Sequence, residues 1–333
     1  MIVSDADEGE EPKSASELQI YAGYDEADLD LLRSVVARPA DIAADHYIDG
    51  FGVKTLFECV PFASVEDFNR ARLTFPVPDD GFHAEAIEYL AVADCLHRAG
   101  SARLCVAELG AGWGPWIALA GVLALRRGVA DIALIGAEAS LRRFALMGKH
   151  LVANRLRPER ASAEDTLVIH ENAALGQKSV IRSRLFNGAV WTHNGLVGFP
   201  ETDVTDMATA ASEAANGKDY RGFALPLSPI PSRTLTTLLG DLTPVDLLHI
   251  DIQGAELDLL THGISWLSRH ARSVFVATHD RLIEGRLIEL MLGHGWLLER
   301  EKPCRVDWAL PGFMSARTTH DGGQYWINPN LCA

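Results

Sequence analysis

From about residue 100 onward, short β-rich runs alternate with longer stretches of helical periodicity. This rhythm restricts the possible folds more than any other feature of the chain. "RLCVAEL" (103–109) leads through a glycine turn into "WIALAGVLALRRG", and "IALIGAE" (132–138) precedes "SLRRFALMGKHLVANRL". "TLVIHENAAL" (166–175) reads as a third strand and its exit. "VDLLHIDI" (245–252) and "SVFVATHD" (273–280) are each followed by an amphipathic helix. Such alternation predicts an α/β fold, a mostly parallel sheet with helices on both faces. Right-handed crossovers then bring every strand's C-terminal end to one edge. The tail, "DGGQYWINP", reads as a turn and a last strand, the antiparallel edge of that sheet.

Two regions fall outside the rhythm. Residues 1–80 form an N-terminal extension, and roughly the first 17, "MIVSDADEGEEPKSASE", are too polar to bury and are expected to be disordered. Residues 184–230, rich in Gly, Ala, Asn and Pro, read as an insertion into a core domain spanning 81–333. No window approaches the about 18 apolar residues of a membrane span, and the N-terminus has no apolar signal region. The formal charge of −15 opposes nucleic-acid binding, which needs clustered Lys and Arg. Five scattered cysteines without C-x-x-C spacing argue against a disulfide framework or a zinc site and favour a cytoplasmic location. Oligomeric state is left open.

"AELGAGWGPW" (107–116) closes the first core strand and opens a helix. Its glycines let the backbone turn sharply and let a ligand approach main-chain N–H groups. Glu108 stands just before the turn, and Glu138 ends the next strand, 28 residues after Gly110. A carboxylate at that distance suits the hydroxyls of a ribose. The glycine spacing departs from G-x-G-x-x-G, and Glu108 would crowd a pyrophosphate. A cofactor carrying ammonium and sulfonium groups would be drawn to it instead. Charge therefore favours S-adenosylmethionine over a nicotinamide dinucleotide.

With these residues the chain resembles the FkbM-type family of S-adenosylmethionine-dependent methyltransferases over roughly residues 104–300. The resemblance rests on "ELGAGWG" (108–114), "GAEAS" (136–140), "THDRLIEGRLIEL" (278–290) and above all "LLHIDIQGAELDLL" (247–260). His249 stands where the family usually has lysine, and Gln253 where it has glutamate. The resemblance implies the class I methyltransferase sheet, Rossmann-like and seven-stranded with the last strand antiparallel. It also implies O-methylation of a hydroxyl on a sugar, glycan or polyketide-like metabolite. By position, Glu108, Gly110, Gly112 and Trp113 would line the methionine part of the cofactor. Glu138 would hold the ribose, and Glu171 and Asn172 would edge the adenine.

Methyl transfer to oxygen requires alignment of the acceptor and removal of its proton, and a general base contributes about 10²–10⁴-fold. His279, Asp251 and Glu256 stand at strand exits, where ligands bind in parallel sheets. On this reading His279 is the general base, Asp251 orients it or the substrate, and Glu256 is a supporting acid. Each also has a structural reading: Glu256 as a helix-dipole acid, Asp251 as a cap, His279 as a rim histidine. His249 reads as a packed core histidine. The three side chains also offer ligands for Mg²⁺ or Mn²⁺, which their spacing neither demands nor excludes, and no metal is assigned. In "DDGFHAEAIEY" (79–89), His83 and Glu85 either close over the cofactor or simply begin a helix. Trp191, His193 and Phe199 are either an acceptor wall or a surface loop. A nicotinamide-dependent oxidoreductase and a non-catalytic cofactor-binding module are the competing functions.

Overall fold

The computed structural model describes residues 25–37, 40–60, 85–161, 163–172, 177–202, 211, 226–310, 312 and 317–332. A helix, α1 (Glu26–Val35), and a small antiparallel meander, β1 (Asp41–Ile42), β2 (His46–Ile48) and β3 (Lys54–Leu56), precede α2 (Ala86–Ala99). The expected rhythm then follows as β4 (Arg103–Leu109), α3 (Pro115–Arg127), β5 (Asp131–Glu138) and α4 (Leu141–Ala153). A hairpin of β6 (Asp165–Asn172) and β7 (Gln177–Asn187) comes next, then a three-stranded patch of β8 (Ala189–Val190), β9 (Gly195–Phe199) and β10 (Ser228–Arg233). After α5 (Leu235–Leu239) the chain returns to the sheet with β11 (Val245–Ile250), α6 (Glu256–His270), β12 (Ala271–Thr278) and α7 (Arg281–Gly293). It ends with β13 (Leu297–Lys302), a short pair of β14 (Arg305–Val306) and β15 (Thr318–His320), and β16 (Gly322–Ile327).

The large sheet runs β13-β16-β12-β11-β4-β5-β7-β6. Strands β12, β11, β4, β5 and β7 are mutually parallel, and β16 lies antiparallel between β12 and β13. With β6 set aside, this is the seven-stranded class I methyltransferase arrangement with its last strand antiparallel. Three expectations need correction. The last strand is internal, because β13 covers its outer side. The third parallel strand is β7, whereas β6 is an added outer strand antiparallel to it. Consequently residues 184–187, assigned to an insertion, belong to the core sheet.

The strands are apolar on both sides because helices cover both faces. Leu104, Val106, Ile132, Leu134, Leu247 and Phe275 pack with α2, α3 and α4 on one face. Their neighbours Cys105, Ala107, Ala133, Ile135, Leu248 and Val274 pack with α5, α6 and α7 on the other. The two-residue period of a strand thus feeds two cores. Among the described residues, no helix is long and apolar enough to cross a membrane.

The same substitution should therefore have two different costs. Leu248→Ala, at a fully buried position on β11, is expected to lower stability by about 2–5 kcal/mol in denaturant unfolding. Leu167→Ala, on the outer face of β6 with 53% of its surface exposed, should stay within about 0.5 kcal/mol.

Candidate active site

The C-terminal ends of β4, β5, β11 and β12 converge on one rim of the sheet. Gly110 leaves β4 at φ +72°, and a side chain there would put its Cβ 1.7 Å from the Asp251 carbonyl oxygen. Only glycine lets the β4 turn and the end of β11 approach so closely. Gly114, also left-handed, caps α3, and Pro115 begins it. Glu108 is buried at the end of β4 and accepts the Ile117 N–H at 2.9 Å. Burial, aided by the nearby charges of Glu88 and Asp251, pushes its carboxyl well above the usual range. Glu138 accepts the N–H groups of Gly112 and Ser140, both at 2.7 Å, and faces Arg143 Nε at 3.4 Å. It thus pins the glycine turn to the end of β5.

Two cavities meet at this turn and share Gly110, Gly112, Asp251 and Gln253. The smaller, about 90 Å³, is walled by Glu138, Val190, Trp191 and Phe199. The larger, about 210 Å³, is walled by Glu88, Glu108, Trp113, Trp116, His249 and His279 among others. Trp191 and Phe199 are therefore cavity residues on the Glu138 side. His193 lines neither cavity.

His279 follows β12 and is 1% exposed. Its Nε2 lies 3.2 Å from Asp251 Oδ1 and 3.9 Å from Asp321 Oδ2, and its Nδ1 lies 3.2 Å from Glu256 Oε1. Burial works against the charged imidazole, but Glu256 and Asp251 outweigh it and hold the pKa well above the usual histidine range. Burial likewise opposes ionisation of Asp251, yet its hydrogen bond to His279 leaves that carboxyl below its usual value. His279 thus has a carboxylate beside each ring nitrogen, which favours its protonated form. A protonated imidazole has no lone pair to accept a proton, so this arrangement does not favour His279 as the general base. The group that opens into the cavity is Asp251, whose side chain is 35% exposed.

Glu256 begins α6 fully buried, and its carboxylate accepts the N–H groups of Ile252 and Gly254. It therefore fixes the loop carrying Gln253 (φ +57°) and Gly254 (φ +102°), a stronger role than complementing a helix dipole. Ligand atoms of Asp251, Glu256 and His279 lie within 4.8 Å of one another. That spacing suits an ion-pair triad and is also compatible with a divalent cation, to which the imidazole would bind in its neutral form.

His249 and Gln253 both have local partners. Gln253 Nε2 donates to Asp251 Oδ1 at 2.7 Å, where a glutamate would repel. His249 is stacked between Trp116 and Phe275, with ring centroids at 5.6 and 4.8 Å, and its Nε2 lies 3.1 Å from Glu88 Oε1. Burial lowers the His249 pKa to about 3, while burial and Asp251 raise that of Glu88 to about 8. His249 is packed, as expected, but it also lines the larger cavity.

Trp113 lines that cavity too, and its carbonyl accepts from His150 Nδ1 at 3.0 Å. Glu85 caps α2 in a reciprocal capping box with Glu88 and pairs with the buried Lys302. It also lines the cavity. His83 lies outside the described residues. Glu171 and Asn172 are not brought to the site. They end an antiparallel strand, opposite the start of β7 at Lys178 and Gln177, which places them at the far edge of the sheet. Glu171 is exposed and pairs with Lys178.

Sequence reasoning missed Tyr47, Asp49 and Thr55 of the N-terminal meander, and Asp321, all of which line the larger cavity. Asp321 directly precedes a glycine pair and a strand, a signal like that of Glu108. Nothing local marks Asp49.

No protein-family model matches the chain. It is 28% identical over 235 residues to a protein of Jannaschia sp. (strain CCS1) described as "Putative methyltransferase", covering 69% of this chain and 75% of that one. Among solved structures it is similar to the METTL16 MTase domain, with 12% identity, coverage of 91% and 90%, and a TM-score of 0.39. It is also similar to precorrin-6Y C5,15-methyltransferase of Geobacter metallireducens GS-15, with 11% identity, coverage of 76% and 93%, and a TM-score of 0.37. A third is methyltransferase FkbM of Methylobacillus flagellatus KT, with 11% identity, coverage of 74% and 55%, and a TM-score of 0.36. At these values the structural likenesses carry nothing about the reaction.

A raised folded-state pKa means that the ion-pair contribution of His279 is fully present below the ordinary value of about 6.5 and is lost as pH rises through the folded value. The destabilisation caused by His279→Gln, measured by urea unfolding, should therefore be larger at pH 6 than at pH 9. Equal or reversed values would contradict the clamped imidazolium.

Proposed function

We propose that this chain is an S-adenosylmethionine-dependent methyltransferase of the FkbM type, methylating a hydroxyl of a sugar, glycan or polyketide-like metabolite. The observation that carries this reading is the pair of cavities meeting at the Gly110–Gly112 turn, with Glu138 in one and Glu108 and Asp251 in the other. The name carried by the Jannaschia relative supports it. Residues 81–333 would form the methyltransferase domain, working in the cytoplasm without nucleic acid or membrane.

The residues present suit the cofactor. Glu138 stands where a carboxylate accepts hydrogen bonds from ribose hydroxyls. Val190, Trp191 and Phe199 give the smaller cavity apolar and aromatic walls suited to adenine. Gly112, Trp113 and Glu108 extend from there into the larger cavity, where an ammonium would meet a carboxylate. When bound, the cofactor would supply an electrophilic methyl carbon to the acceptor oxygen, with a neutral thioether as its leaving group.

Asp251 takes the proton that the acceptor oxygen must lose. Methylation makes that oxygen cationic and strongly acidic, so even a carboxylate of low pKa is basic enough. His279 and Gln253 hold Asp251 in place, and Glu256 holds His279 together with the loop. Such positioning converts binding into rate by fixing the approach of the reacting atoms.

Calorimetric titration tests this reading. S-adenosylmethionine should bind and NAD should not, and the reverse outcome would sink the proposal. Glu138→Ala should weaken S-adenosylmethionine binding at least about tenfold, given about 1.5–3 kcal/mol for hydrogen bonds to a charged group.

A further inference from the structure

We infer that the methyl acceptor carries a positively charged amine, which the larger cavity seats against Glu88, Asp251 and Asp321. This rests on the methyl-transfer reading and narrows its substrate class. The described wall of the cavity contains six carboxyl residues, Asp49, Glu85, Glu88, Glu108, Asp251 and Asp321, and no lysine or arginine. Three of them are already engaged. Glu85 is matched by buried Lys302, Asp49 accepts the N–H groups of Phe51 and Val53, and Glu108 sits against the start of α3.

The other three share little positive charge. Among the described residues His279 pairs with Asp251 and Asp321 but also faces Glu256, and Lys302, which acts on Glu88 and Asp321, is already paired with Glu85. His249, beside Glu88, is held neutral by burial. The cofactor would bring one net positive charge, its carboxylate offsetting one of its two, which is fewer than the three carboxyl groups left. Like charges around a low-dielectric void raise one another's energy. Glu88 and Asp321 are indeed both pushed upward, first by burial, with Asp251 adding to the effect. A neutral acceptor would displace water from these carboxylates without replacing the counter-charge.

Two further features fit an ammonium. His249 is 1% exposed and lines this cavity, and its Nδ1 has no hydrogen-bond partner among the described residues. A cation seated beside Glu88 favours its ionised form, and the His249 Nε2–H then donates to Glu88 and leaves Nδ1 as a lone-pair acceptor, the complement of an N–H donor. Tyr89, Trp116 and Phe275 line the same space, and aromatic faces attract organic cations. The carboxylates and the rings thus select the same charge.

The test uses the full chain. Calorimetry with S-adenosylhomocysteine comes first, and absence of binding would overturn the methyl-transfer reading itself. Methyl-labelled S-adenosylmethionine is then supplied with a small-molecule cell extract split on a cation-exchange resin, with EDTA present throughout. Label transferred to the retained, cationic fraction is the expected result. Label entering only the unretained fraction, or a neutral acceptor methylated only when Mg²⁺ replaces EDTA, would overturn the inference while leaving methyl transfer intact. Asp321→Asn and Glu88→Gln should each raise the KM for the labelled acceptor at least tenfold, with S-adenosylhomocysteine affinity changed less than threefold. Unchanged KM in both variants would also overturn it.

Discussion

The imidazolium of His279, held at 3.2 Å between Asp251 and Glu256, is the interaction on which the rim depends. It joins the ends of β11 and β12 to the first residue of α6. Glu256 in turn grips the N–H groups of the 252–254 loop, so one buried charge network sets both the loop and the carboxylate that opens into the cavity. Burial of so many charges is tolerable only because each meets an opposite charge or a backbone donor. Removing the imidazole would leave two carboxylates facing each other with little solvent to screen them.

The glycine turn depends on the same rim. Gly110 can lie against the Asp251 carbonyl only where β11 ends, and the Gly110 and Ala111 N–H groups bond the Ala137 carbonyl of β5. Glu138 completes the link through Gly112. Three strands are thereby locked at one edge, and both cavities lie between those locks. The parallel sheet supplies the alignment, and the short side-chain and backbone contacts supply the shape.

Much of this was legible in the chain because it is encoded locally. The apolar runs at 103–109, 132–138 and 245–250 became central strands, and the acids that end them became rim residues. What failed depended on distant partners. Residues 165–171 alternate strictly, with Leu167 and Ile169 exposed, and such a pattern marks a strand without giving its direction or its place in the sheet. Glu171 was therefore placed at the wrong edge. His279 was read as a base because a histidine taken alone titrates near neutrality. Its actual state is set by Asp251, 28 positions earlier, and by Glu256. Asp49 and Asp321 reach the cavity from opposite ends of the chain, and no window of sequence joins them.

The neutral groups at positions 249 and 253 are best understood together. Lysine at position 249 and glutamate at 253 would add one positive and one negative charge beside Asp251. The chain has neutral groups at both places, His249 kept uncharged by burial and Gln253 as an amide donor. The exchange leaves the local net charge unchanged but moves the donors. Gln253 now contacts Asp251 directly, and His249 turns instead to Glu88 on α2. That second contact involves an acid of the helix preceding the core on the cavity wall, where Lys302, already paired with Glu85, supplies the positive charge that acts on it. A pair of neutral groups on and after β11 thus leaves Glu88 at the cavity wall beside an uncharged imidazole, where a cationic ligand would favour its ionised form.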